Sequence, residues 1–194
     1  MKWIDFEKSI KDKDIKLFTP RDVSVFLGRS TIAVRFLMHR LKQNGQIMGV
    51  KRGLYKLSGQ LVPDYYLANR IYAPSYISLE SALSYYGVIP ETVYEITSVT
   101  SKITRRFETA GKIFSYHKIK QSAFTGYGIA HQDGANFYLA DAEKAFIDVC
   151  YLRLLAGRES ISRFDKTKLN KEKTLSYADL YKNKKLVATI RKLL

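Results

Sequence analysis

GRSTIAVRFLMHRLKQNG, residues 28–45, spaces bulky apolar residues at helical intervals and scatters Arg35, His39, Arg40 and Lys42 among them. Ser30-Thr31 is a capping pair at its start, and Asn44-Gly45 is a stop at its end. At about 100° per residue, Ala33, Val34, Leu37, Met38 and Leu41 fall on one apolar face. Thr31, Arg35, His39 and Lys42 fall on the opposite side. A helix that reads a DNA groove requires this division, with one face gripping a scaffold and a donor-rich face turned outward. An amphipathic surface helix with solvated charges shows the same periodicity. Ile32 and Phe36 interrupt the polar side and are expected to pack against the first helix or the hairpin that follows.

The flanking sequence separates these two readings. Trp3, Ile4, Phe6, Ile10 and Ile15 recur at roughly helical intervals and predict a first helix. Thr19-Pro20 starts a second, with Thr19 as cap and Pro20 pre-set for the first helical position. That helix runs through RDVSVFL and stops at Gly28. Beyond Gly45, QIMGV and GLYKL alternate as two strands about a Lys51-Arg52-Gly53 turn. Three helices and a two-stranded wing are the order of a winged helix-turn-helix, here spanning 1–57, whose third helix enters the major groove. In that arrangement Arg35 reaches guanine acceptors, and Thr31 reaches a phosphate or a thymine methyl. Lys51 and Arg52 at the wing tip, followed by Lys56, stand where a wing meets backbone phosphates. The candidate DNA contacts are Arg29, Ser30, Thr31, Arg35, His39, Lys42, Lys51, Arg52 and Lys56.

The chain has 194 residues, with 33 Lys+Arg against 18 Asp+Glu for a net charge of +15. Residues 1–57 carry +8, residues 58–157 are neutral, and residues 158–194 carry +7. A neutral centre between basic ends points to a polyanionic partner for the ends. No apolar run is long enough to span a membrane, and the N-terminus lacks the apolar block of a signal peptide. One cysteine, Cys150, permits no internal disulfide, and the three histidines show no zinc-ligand spacing. A cytoplasmic protein without cofactor or metal is expected.

Residues 58–73 read as a connector that becomes helical after Pro63, and 74–194 as a second domain. In the latter, a helix starts near Ser78, with Leu79, Ala82, Leu83 and Tyr86 on one face and Gly87 and Pro90 as stops. Strand-like runs follow, turning at Ala110-Gly111 and Asp133-Gly134. DAEKAFIDVCYLRLLAG is a strong helix, capped by Asp141 and ended by Gly157. Short lysine-rich helices complete the chain. The fold class expected is α+β: a winged helix-turn-helix, then a mixed α/β domain with antiparallel hairpins and C-terminal helices.

Nothing here reads as an enzyme. Asp141 and Glu143 are explained by capping and the helix dipole, although a metal-dependent nuclease would be tested by Glu143→Ala. His117 and His131 sit in predicted strands, Ser78 and Ser81 lack a nucleophile-elbow context, and Cys150 reads as a buried thiol.

YISLESALSYYGVIPE (76–91), ITSVTSKITRRFETAGKIFSYHKIK (96–120) and YLADAEKAFIDVCYL (138–152) together resemble the AbiEi family, antitoxins of bacterial type IV toxin–antitoxin systems. The resemblance covers nearly the whole chain, because that family also begins with a winged helix-turn-helix. It implies an autorepressor that binds inverted repeats in its own promoter, double-stranded DNA being the partner. It also implies an antitoxin domain that opposes a nucleotidyltransferase-like toxin, a stable complex between the two not being required. The alternatives are a protein-interaction module and an RNA-binding regulator.

Overall fold

The computed structural model describes residues 2–194, which divide into two compact units meeting at Val62/Pro63. The protein is α+β. None of its helices is long and apolar enough to cross a membrane, among the described residues. The stretch 58–73, read as a connector, is shared between the units, and its helix belongs to the second.

The first unit contains α1 (Trp3–Asp12), α2 (Pro20–Leu27), α3 (Thr31–Gln43) and an antiparallel hairpin, β1 (Ile47–Lys51) with β2 (Leu54–Leu57). Thr19 caps α2 by accepting from the Asp22 N–H at 3.3 Å, and Asp22 Oδ2 accepts from the Thr19 N–H at 2.7 Å. This reciprocal pair satisfies two amides that the helix start leaves orphaned. Gly28 ends α2 at φ 62°, the left-handed conformation glycine adopts without a Cβ penalty. Only Gly28, Arg29 and Ser30 separate α2 from α3. Ser30 then caps α3 through the Ala33 N–H at 3.3 Å.

Phe6, Ile10, Phe18, Val23, Leu27, Val34, Met38, Leu41, Ile47 and Leu57 form the core of this unit. Phe6 is its aromatic hub, 5.4 Å from Phe18 and 5.3 Å from Phe26 between ring centres. Phe18 also bridges the Tyr55 backbone by two 2.9 Å hydrogen bonds, which ties the residue before the α2 cap to the hairpin. The first helix is shorter than its apolar pattern predicts. It stops at Asp12, and Ile4 and Ile15 are exposed.

The second unit is a six-stranded mixed sheet with helices on both faces. Its elements are α4 (Asp64–Ile71), β3 (Ser75–Ile77), α5 (Leu79–Tyr85), β4 (Glu95–Thr100), β5 (Arg105–Thr109), β6 (Lys112–Lys118), β7 (Tyr127–Gln132) and β8 (Ala135–Ala140). The long α6 (Ala142–Leu155) follows, then α7 (Lys171–Leu180) and α8 (Lys184–Leu193). The strand order is β5-β6-β4-β3-β8-β7. The β5–β6 and β7–β8 hairpins turn at the two expected Ala-Gly and Asp-Gly sites. The short β3 was not expected. It inserts at the centre, antiparallel to β4 and parallel to β8, while β4 and β6 are also parallel.

Ile77, Ser98, Tyr116 and Leu139 share one row of this sheet and therefore one face. Tyr116 Oη donates to the Ala68 carbonyl of α4 at 2.6 Å, which places α4 on that face. The adjacent Tyr76 points the other way and reaches α6. The sheet thus lies between α4 on one side and α5 with α6 on the other, and α7 and α8 pack onto α6.

Helix α6 is buried around its whole circumference from Ala142 to Tyr151, not on one apolar face as its sequence suggests. Tyr86, assigned to the apolar face of the preceding helix, lies just beyond α5 and is exposed.

Candidate nucleic-acid interface

Helix α3 buries Val34, Met38 and Leu41, with Leu37 packed partly against the same core. Ala33, expected in this set, is exposed. Ile32 and Phe36 are also exposed, at 64% and 70%, and not buried against the first helix or the hairpin as expected. The reason is angular. Ile32, Phe36, His39 and Gln43 form a ridge at i, i+4, i+7 and i+11, directly opposite the buried residues. Folding the core therefore drives these two apolar side chains furthest outward.

Thr31, Arg35 and Lys42 occupy one flank of that ridge, and Arg40 lies on the other. The Lys42 ammonium approaches β1 at Gly49, where a Cβ would stand 3.8 Å from it. The flank carrying Arg35 and Lys42 is thus the one turned toward the hairpin. Lys51 and Arg52 are exposed at the hairpin tip, and Gly53 makes the turn at φ 79°. Arg29 and Ser30 are exposed in the turn between α2 and α3. Lys56 is half-buried instead, and its ammonium donates to the Gln60 carbonyl at 2.8 Å.

Electrostatics favour an anion at this surface. Residues 28–57 hold seven Lys or Arg and no Asp or Glu. The described ion pairs of the unit, Lys11–Glu7 and Lys16–Asp14, lie outside this stretch. Arg29, Arg35, Arg40 and Arg52 consequently have no carboxylate partner among the described residues. Eight of the nine proposed contact residues are exposed on the α3 half of this unit, and Lys56 is the one drawn into local structure.

Of the titratable residues singled out in the second unit, Asp141, Glu143 and His131 have side-chain partners, and Cys150 and His117 are shaped by burial. Asp141 Oδ1 caps α6 by accepting from the Lys144 N–H at 2.8 Å, and its other oxygen accepts from Tyr177 Oη at 2.7 Å. Glu143 accepts from the Asn170 N–H and from Lys173 Nζ, each at 3.0 Å. Burial works to raise the Glu143 pKa, but these hydrogen bonds, one from its own backbone N–H and the charge of Lys173 together hold the carboxyl below its ordinary value. Burial pushes the Cys150 thiol up to about 12 and draws His117 below the usual histidine range. His131 Nδ1 lies 2.7 Å from Asn136 Oδ1 on the next strand. Among the described residues no three His, Cys, Asp or Glu side chains gather as a metal would require.

The most deeply buried polar cluster lies elsewhere in this unit and is absent from the candidate residues of the sequence reading. Lys144 and Asp148 form an ion pair inside α6 with both side chains fully buried. Asp148 also accepts from Ser78 Oγ at 2.7 Å, from Tyr76 Oη at 3.2 Å and from Tyr181 Oη. The Lys144 ammonium lies 5.2 Å from the Tyr181 ring centre and 5.6 Å from that of Tyr76. A Lys–Asp pair at i, i+4 among the apolar residues of a helix is its only sequence signal. No protein-family model matches the chain, and no curated protein matches it either.

Proposed function

We propose that the first unit is a winged helix-turn-helix that binds double-stranded DNA, and that the protein is a transcriptional regulator. The observation that carries this reading is the 28–57 surface, which combines seven cations, no carboxylates, an outward α3 and a basic hairpin tip. α3 spans about 20 Å and is short and exposed enough to lie in a major groove. The hairpin would meet the flanking phosphates.

The likeness of residues 76–152 to AbiEi antitoxins extends the proposal. On that basis the protein is a cytoplasmic autorepressor that binds inverted repeats in its own promoter. The second unit would oppose a nucleotidyltransferase-like toxin, without need of a stable complex. No catalytic role, metal or cofactor enters this reading.

Titration of the full chain against the duplex immediately upstream of its own reading frame tests the proposal. Counter-ion release predicts a log–log slope of affinity against salt of about −3 to −5 between about 50 and 200 mM. The same duplex with scrambled sequence should bind more weakly. Affinity that is flat across the salt series, or equal for both duplexes, would overturn the reading as a sequence-specific DNA binder.

A further inference from the structure

The ridge furthest from the core of α3 is headed by two large apolar side chains. Ile32 and Phe36 sit in the first two turns of the helix, are 64% and 70% exposed, and are bordered by Thr31, Arg35 and His39. Single exposed apolar residues are ordinary, but these two stand one turn apart on the same ridge and form a patch whose removal from water would be favourable.

The occupant follows from charge. A second copy of the chain would bring the same seven cations and no carboxylate of 28–57 against themselves. An apolar surface framed by a polyanion suits the patch instead. The major groove offers that combination, with phosphates along both edges and the C5-methyl groups of thymine on its floor.

We infer that Ile32 and Phe36 are specificity-determining residues that pack against thymine C5-methyl groups, with Arg35 and His39 beside them at polar base edges. This rests on the DNA-binding reading above. It gives that reading a content absent from a contact set of polar residues alone. The preferred sites contain thymine opposite the first half of α3, and the methyl group is what is recognised. The first half of a recognition helix is also the part that such domains present to base edges.

Uracil differs from thymine only by the methyl, so deoxyuridine substitution isolates the contact. A duplex is first enriched by the full-length protein from a random 20-bp pool. It is then resynthesised with deoxyuridine in place of each thymine in turn, and with deoxyuridine throughout. Burial of one methyl group predicts about a fourfold loss of affinity at each contacted thymine. Phe36→Ala should bind thymine and deoxyuridine duplexes alike at the position Phe36 covers, and Ile32→Ala should do so at its own. The salt slope should be unchanged in both variants. Both side chains lie outside the core, and the wild-type comparison needs no variant at all.

Salt-dependent binding with no thymine–deoxyuridine difference anywhere in the duplex would overturn this inference and leave the DNA reading standing. Loss of self-association in Phe36→Ala by analytical ultracentrifugation, with the thymine preference intact, would also overturn it. Failure of the wild type to enrich any duplex would remove the DNA reading itself.

Discussion

Arg35 and Arg52 are both exposed guanidinium groups without a carboxylate partner among the described residues, yet the proposed DNA-binding mode gives them different tasks. Arg35 leaves α3 on the flank facing the hairpin, where the proposed DNA-binding mode puts base edges, whereas Arg52 stands at the hairpin tip. Arg35→Ala should weaken binding to a preferred duplex by about 1–3 kcal/mol and relax base choice at one position. Arg52→Ala should weaken all duplexes alike and reduce the salt slope by about 1. Gel-shift titrations on the preferred and scrambled duplexes distinguish these outcomes, and equal behaviour of the two variants would remove the assignment. At this scale the sequence was legible wherever a residue's role follows from local geometry. Thr19, Gly28, Ser30 and Asp141 each occupy the cap or stop their residue type suggests. Ile32 and Phe36 fall outside what the sequence alone predicts, because apolar residues on a helix suggest a core to face whether or not one lies on that side. The angular position that decides otherwise depends on which neighbours define the inside.

The same contrast between local and distant information recurs among the elements. Both hairpins of the second unit announce themselves by short turns, but β3 has three residues and no turn of its own. Its place comes from pairing with β4 and β8, strands far away in sequence. A clamp at Thr97 holds the junction after β3. Its hydroxyl donates to the Ser78 carbonyl at 2.8 Å and accepts from the Ser81 N–H at 3.0 Å. Its own N–H donates to Ser81 Oγ at 2.8 Å. Between Ser78 and Ser81, Leu79 has φ 56°, an unfavourable conformation for a residue with a branched side chain. Such strain persists only where surrounding bonds over-determine it. Thr97→Val keeps the shape but takes the acceptor from the buried Ser81 N–H and leaves the Ser78 carbonyl only its bond from the Ala82 N–H. It should cost about 1–3 kcal/mol in denaturant unfolding, and Thr97→Ser should recover most of that loss. If Val is as stable as Thr, the clamp contributes nothing.

Across the whole molecule, the basic ends meet acid in unequal ways. Glu143 joins α6 to the start of α7 through Asn170 and Lys173. Its carboxyl is held below the ordinary value of 4.5, so the unfolded chain takes up this proton first as the pH falls. The stabilisation is therefore complete above about pH 4.5 and disappears as the pH drops through the lower folded value. Thermal midpoints of the wild type should fall in that acid range, and Glu143→Gln should be less stable at neutral pH with a flatter acid limb. Parallel acid limbs would show that Glu143 does not contribute. Charge segregation was readable in the sequence, whereas the burial of Lys144 and Asp148 was not, since it requires every side of α6 to be covered by parts of the chain remote from it. The division at Val62 has one more use. The only tryptophan, Trp3, belongs to the first unit, and the only cysteine, Cys150, is buried in the second. Native fluorescence and thiol labelling thus give each unit its own built-in reporter, so a denaturation series can time the melting of the two separately without adding a label to either.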